Sequence, residues 1–503
     1  MNKNNMKNNY IPQADRKKIL LIGDHLFAFS GVGRILKEIV VHTAHHFNWV
    51  ELAGSIKTPD QGKIFDISAD INKEAGIEDA SVKLYPVNEY GTPQILREVM
   101  KLEKPDALML MGDPRMFLWV FSMEDEIRSK IPLAWNNIWD SLPQPNFNLP
   151  YYESTDLLMG ISQQTVNINK MVLDSGNVPY IDIDDLTKTT LDSKSRSCPV
   201  LLKFNPHGLN ENKYYPIQEN GKEYIEFRDK IFNGEPIPDF VLFFSSRNMR
   251  RKSICDSMLA FKHFLDSIPY DQALKCKFIL KTEIVSEHGT DLESVREFLF
   301  EEKYPNNIMF LPQVFNDTEL NYLYNIADAQ ILISSNEGWG MVTTENILAG
   351  TSIIANVQGG LQTQMRFEDE NGNWYTPSKE VPSNHRGTYK KHGCWAFPCY
   401  PSNLSIQGSP LTPYIYDDRC KWEDAADRIM ELYSMTREER KARGLKGREW
   451  AISSEAGFTS KHQGERVIEA FDTLFETWRP RERFEVVNAN KYLGKFINHP
   501  IIY

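Results

Sequence analysis

Two carboxylates and two cations in the second half of the chain have the types and spacing to hold a phosphorylated sugar. Glu337 and Glu345 flank Gly338, Trp339, Gly340 and Met341. An ionised carboxylate has two acceptor oxygens, so each can take neighbouring hydroxyls of one ring. Gly338 and Gly340 fall where a short helix over 341–349 would begin. Unpaired amides and the helix dipole favour an anion there, and missing side chains let its oxygens come close. Upstream, Arg247 and Lys252 stand five apart in Arg247-Asn248-Met249-Arg250-Arg251-Lys252. A planar guanidinium and an ammonium at a strand-to-helix turn can grip a diphosphate. They would also offset the charge that builds on it as it departs. A phosphate seat between two diol clamps is the outline of a nucleotide-sugar site. The plainer alternative is a solvated acidic loop and a basic surface run, and Arg250 and Arg251 are read as surface charges.

These groups need βα units to position them. Short apolar runs at 329–333 and 351–356 read as buried parallel strands around the 341–349 helix, which Gly350 closes. The run 240–246 leads directly into Arg247, and 278–281 and 308–311 read as two more strands. Residues 319–327 read as a helix with Leu320, Leu323, Tyr324 and Ala327 on one face. In the first half, a strand over 17–24, a turn with Gly31 and Gly33, and a helix over 35–41 make the opening unit of a doubly wound domain. Further strands are expected at 107–113, 131–135 and 157–162. Ligands of such sheets sit beyond the carboxyl ends of strands, so Asp113, Asn136, Asn137 and Asp140 are candidates to line the cleft on the acceptor side. Simple loop capping is the alternative for each.

The order Glu337, seven residues, Glu345, then Ala349-Gly350 and a strand closely resembles the donor motif of family 4 glycosyltransferases of the GT-B type. The Arg247-to-Lys252 interval falls at the matching place, and the resemblance covers most of residues 18–478. It implies an α/β GT-B fold: two Rossmann-like domains facing across a cleft, with C-terminal helices crossing back to the first. The expected division is a disordered tail over 1–17, an acceptor domain over 18–215 and a linker over 216–237. A donor domain over 238–460 with an insertion at about 366–420 comes next, then returning helices over 461–503. The implied reaction moves a sugar from a nucleotide-diphosphate sugar to an acceptor hydroxyl with retained configuration, without metal or other cofactor. Arg247, Lys252 and Glu337 would be catalytic, and Glu345 would hold the donor ribose. The backbone of Gly338, Trp339, Gly340 and Met341 would bind the diphosphate, which Gly31 and Gly33 would face across the cleft. Val314 and Phe315 would lie near the base, and Gly359 and Gly360 near the transferred sugar. Many relatives carry a His-Asp pair after the strand matching 131–135. This chain has Asn136-Asn137-Ile138-Trp139-Asp140 instead, so no histidine is assigned.

The 503 residues are too many for one core. The net charge of -11 argues against a broadly basic nucleic-acid-binding surface. Six cysteines give no disulfide framework and point to a reducing cytoplasm. No apolar stretch reaches membrane-spanning length. Asp182-Ile183-Asp184-Asp185 could hold a divalent metal, but its polar surroundings read as a solvated turn. In 366–420, Lys390 and Lys391 mix with Tyr389, Trp395, Phe397 and Tyr400, a combination that can hold phosphate and stack a ring. Zinc held by His385, His392, Cys394 and Cys399 is a further alternative, and a plain structural insertion another. The expected acceptor is a glycan, lipid-linked or small-molecule hydroxyl, or DNA with hydroxymethylated bases. The DNA alternative rests on a loose resemblance to glycosyltransferases of large phages, and would place the protein in the host cytoplasm. A non-catalytic nucleotide-sugar-binding protein is the alternative of another class.

Overall fold

The computed structural model describes residues 10–185 and 198–481. The apolar runs become two sheets. The first has nine strands in the order Phe65–Asp66, Val82–Asn88, Phe47–Ile56, Lys17–Asp24, Ala107–Gly112, Leu133–Asn137, Leu157–Gly160, Val200–Phe204 and Tyr180–Asp182. Every pair is parallel except the outermost, where Phe65–Asp66 runs against Val82–Asn88. The second has six parallel strands in the order Ile308–Phe310, Cys276–Lys281, Phe240–Ser245, Ala329–Leu332, Ser352–Asn356 and Ala396–Cys399. Central strands such as Phe240–Ser245 are continuous hydrophobic runs because helices cover both faces of each sheet.

Strand order reverses beside Lys17–Asp24 in the first sheet and beside Phe240–Ser245 in the second. Crevices open at the carboxyl ends of such strands. The loops that leave these places carry Gly31, Arg247 and Glu337, so the topology itself brings the two halves of the site together.

The last described helix, Ser460–Thr477, returns to the first sheet and packs on helix Gly31–Thr43. His46 and Asp472 meet at 3.0 Å, and Lys203 reaches Glu469 at 2.7 Å. The expected helices beyond 481 lie outside the described residues, as do residues 1–9 of the expected tail.

Several boundaries differ from the sequence reading. Residues 10–16 are anchored: Arg16 is buried and pairs with Asp79 at 2.7 Å, and strand one starts at Lys17. The interdomain stretch contains a helix, Lys222–Ile231, packed on helix Asp317–Ile326. Residues 366–420 are only partly an insertion, since Ala396–Cys399 completes the second sheet. The chain then turns into an antiparallel hairpin, Pro401–Ser409 with Thr412–Cys420. This hairpin crosses to the first domain. There Arg115 donates to Thr412 Oγ1 at 2.9 Å, Tyr416 N donates to the Leu142 carbonyl at 2.6 Å, and the rings of Tyr414 and Phe147 meet at 4.9 Å. No described helix is long and apolar enough to cross a membrane.

Candidate functional site

A cavity of about 400 Å³ lies between the two sheets. Its walls include Gly31, Asp140 and His207 from the first half, and Arg247, Arg251, Lys252, Glu337–Met341 and Glu345 from the second. Helix Met341–Ala349 is bounded as its sequence suggests. Gly340 and Gly350 both take φ of 82°, a left-handed conformation that glycine adopts without strain. A Cβ on Gly31 would stand 2.8 Å from Met341 Cε, the free end of a flexible side chain, so the two domains meet closely here.

The centre of the cavity is a charge cluster. Lys252 and Glu337 are 6% and 8% exposed. The Lys252 ammonium donates to Glu337 Oε2 in a short contact. Arg251 donates to the same oxygen at 3.3 Å and to the Asn336 carbonyl at 2.6 Å. Burial works to raise the Glu337 carboxyl, but Lys252 and Arg251 outweigh it and hold it below its ordinary value. Burial lowers the Lys252 ammonium, and nearby Arg251 and Arg247 add to that against the pull of Glu337. Burial also raises Asp140, assisted by Glu337 and opposed by Arg251. Arg247 is exposed at the cavity wall. Lys252 and Arg251 therefore meet on Glu337, with Arg247 near Lys252 and Asp140 near Arg251, beside a helix N-terminus, where the three cations are suited to a polyanion. Arg251 is thus part of the cluster and no mere surface charge, because its guanidinium reaches Glu337 and the Asn336 carbonyl, and Ser335 N donates to its own carbonyl at 2.8 Å.

Glu345 is engaged on both oxygens. Arg34 from helix Gly31–Thr43 donates to Oε1 at 2.8 Å, and the Tyr324 hydroxyl donates to Oε2 in a short contact. Arg34 also donates to the Tyr214 hydroxyl and lies 5.2 Å from the centroid of that ring. Burial acts to lower the Arg34 guanidinium, but Glu345 and Tyr214 prevail and raise it. This network links residues 311 apart in sequence, so no local spacing could have announced it.

The other sequence candidates fall into three groups. Gly338, Trp339, Gly340 and Met341 line the cavity with Gly31 and Asp140. Gly33, Gly359 and Gly360 support it from behind. The Gly33 amide donates to the Ser30 cap at 3.0 Å. A Cβ on Gly359 would meet the Glu337 carbonyl, and one on Gly360 the Gly338 carbonyl, each at 2.2 Å. The remainder stand outside the cavity lining. Asn136 and Asn137 are fully buried, and Asn137 Nδ2 donates to Tyr152 and Asn169. Asp113 caps residues 114–117 and accepts from Arg115 at 2.8 Å. Val314 is 87% exposed, and Phe315 packs against the Phe227 ring. Lys390 lies 4.5 Å over the Tyr400 ring, and Lys391 pairs with Glu368 at 2.8 Å.

The acidic run at 182–185 sits at the far edge of the first sheet. There Lys170 takes Asp182 at 2.5 Å and Lys203 takes Asp184 at 2.6 Å. The histidines and cysteines of 385–399 do not converge. His392 stands edge-on to Phe367, and Cys399 is buried beside Cys420.

Residues 227–382 match the family model for glycosyl transferases group 1. An uncharacterized glycosyltransferase from Methanocaldococcus jannaschii is 25% identical over 184 residues, which take in 35% of this chain and 45% of that relative. The match therefore spans less than half the length of the curated relative. Among solved structures, a glycosyltransferase from Rickettsia africae superposes with a TM-score of 0.60 at 15% identity, over 92% of this chain and 99% of its own. Sucrose-phosphate synthase from Thermosynechococcus elongatus gives 0.59 at 14%, over 92% and 100%. HepE from Anabaena, solved with UDP and glucose, gives 0.57 at 13%, over 91% and 100%. The chain is an α/β protein of the GT-B fold, and its second half carries a glycosyl transferases group 1 segment.

Proposed function

We propose that the protein is a retaining glycosyltransferase that moves a sugar from a nucleotide-diphosphate sugar to an acceptor hydroxyl. The observation that carries this reading is the buried meeting of Lys252, Arg251 and Glu337 beside the amides of Gly338–Met341, in one cavity between the sheets. Before the donor binds, Glu337 neutralises the cations. An arriving diphosphate takes over Arg247 and Lys252, and Glu337 turns to the hydroxyls of the sugar. As the glycosidic bond breaks, negative charge builds on the departing diphosphate, and the two cations and the helix N-terminus stabilise it. The acceptor oxygen approaches on the leaving-group face, and a donor phosphate oxygen receives its proton. Charge neutralisation on this route comes from side chains, so the reading requires no metal. The Anabaena structures with UDP-glucose and with UDP and glucose support a nucleotide-sugar donor.

The low cysteine content supports a cytoplasmic location. Neither Lys390 nor Lys391 borders the cavity, so a DNA acceptor draws no support from them, and the acceptor proposed is a glycan, lipid-linked or small-molecule hydroxyl. The test is donor hydrolysis without acceptor across UDP-, ADP- and GDP-sugars, followed by NMR assignment of the product anomer. Hydrolysis by wild type that is lost in E337A supports the reading. Binding without turnover for every donor would make the protein a nucleotide-sugar sensor.

A further inference from the structure

His207 borders the cavity from the stretch Asn205-Pro206-His207-Gly208 that leaves the strand Val200–Phe204. It is 7% exposed, and its ring stands edge-on to Trp339 with centroids 6.3 Å apart. Its Nδ1 is sealed from solvent and has no hydrogen-bond partner among the described residues. Burial pushes the imidazole down to about 3, so it is neutral at physiological pH. A neutral imidazole carries one donor and one acceptor, and buried polar groups of folded proteins are almost always paired.

The position of the ring narrows what it meets. The cations and the helix N-terminus occupy the part of the cavity suited to phosphate. His207 stands against Trp339, and the adjoining Gly338 backbone faces the wall of Ile138, Ile161 and Asp140, so the ring lies at the loop that carries Glu337. A Cβ on Gly338 would come 3.1 Å from both the Ile138 carbonyl and Ile161, so the Glu337–Trp339 loop lies directly against this wall. A neutral group that both donates and accepts has the same hydrogen-bonding character as a sugar hydroxyl.

We infer that His207 binds a hydroxyl of the transferred sugar and helps to select it. The inference rests on the glycosyl-transfer reading and adds a specific contact to it. The test is isothermal titration of wild type, H207A and H207Q with UDP and UDP-glucose, and with the ADP and GDP pairs. The circular-dichroism melt of each variant confirms that it is folded. In H207A the nucleotide sugar should bind about tenfold more weakly, with the free nucleoside diphosphate nearly unchanged, as expected for loss of one hydrogen bond. H207Q should recover part of the loss, since an amide both donates and accepts. An equal loss for both ligands, or no loss for either, overturns the assignment and leaves the donor-site reading standing. Failure of wild type to bind any nucleotide overturns both.

Discussion

Replacing Arg34 with methionine tests how the donor site opens. In the proposed donor role Glu345 would present oxygens to a ribose, while here Arg34 holds Oε1 at 2.8 Å and Tyr324 holds Oε2. Each carboxylate oxygen has two lone pairs, so Tyr324 can stay on Oε2 while a diol enters, and the Arg34 Nη1–H on Oε1 is the competing donor that a hydroxyl would displace. A hydrogen bond to a charged group is worth about 1.5–3 kcal/mol. The Arg34 side chain is 29% exposed and that of Glu345 only 7%, so solvent screening favours the lower end of that range, about 1.5 kcal/mol. The wild-type protein gives up that interaction when nucleotide binds, and R34M does not have it to lose. UDP should therefore bind R34M about tenfold more tightly, read by titration calorimetry, with ADP and GDP run in parallel. Urea unfolding should show R34M less stable by about the same 1.5 kcal/mol, because Glu345 loses its cation. Weaker nucleotide binding in R34M would refute the reasoning, and would make Arg34 a ligand of the phosphates.

Three further outcomes are expected. K252M breaks a buried ion pair, a change that typically destabilises by roughly 3–5 kcal/mol. The loss should fall at the low end because Arg251 still reaches Glu337, and denaturant midpoints together with loss of nucleotide binding will show it. In G360A the new methyl would meet the Gly338 carbonyl. Donor hydrolysis should therefore fall by more than the melting temperature would suggest, since the loop moves while the core stays intact. D418N should change the pH dependence of stability. Burial raises the Asp418 carboxyl from 3.8 to about 6, with Arg386 opposing and Asp417 assisting. The folded state therefore keeps a proton that the unfolded chain releases between these values. The stability this group contributes is fully present below pH 3.8 and is lost as pH rises through about 6. At about pH 8, D418N should gain up to about 3 kcal/mol over wild type relative to the difference at about pH 4, measured by urea titration at both.

What the sequence disclosed depended on the kind of information each feature carries. Helix Met341–Ala349 was legible to the residue because glycines bound it on both sides. Buried parallel strands such as Phe240–Ser245 were legible as unbroken apolar runs. Phe47–Ile56 escaped notice because Asn48 and Glu51 interrupt its pattern. The hairpin 401–420 escaped because only Pro401 and Thr412 of its strands are buried, so it has no core-facing run. Asn136 and Asn137 come after an apolar run as cleft residues would. Here, however, they complete the strand Leu133–Asn137, and Asn137 bonds inward to Tyr152 and Asn169. Arg34, Arg251 and His207 were out of reach for another reason. Their importance lies in what the folded chain places beside them, and only tertiary structure supplies that.

The hairpin that reaches from Pro401–Ser409 and Thr412–Cys420 onto Leu142, Phe147 and Arg115 alters how the two lobes can part. With the connecting peptide and the returning helix alone, one lobe could swing on the other like a book on its spine. The hairpin fastens the opposite cover. Before the pages can open wide, the hairpin must be peeled from the first lobe, and since Asn336 beside Glu337 donates to the Tyr416 carbonyl at 2.7 Å, that peeling would be felt at the cavity itself.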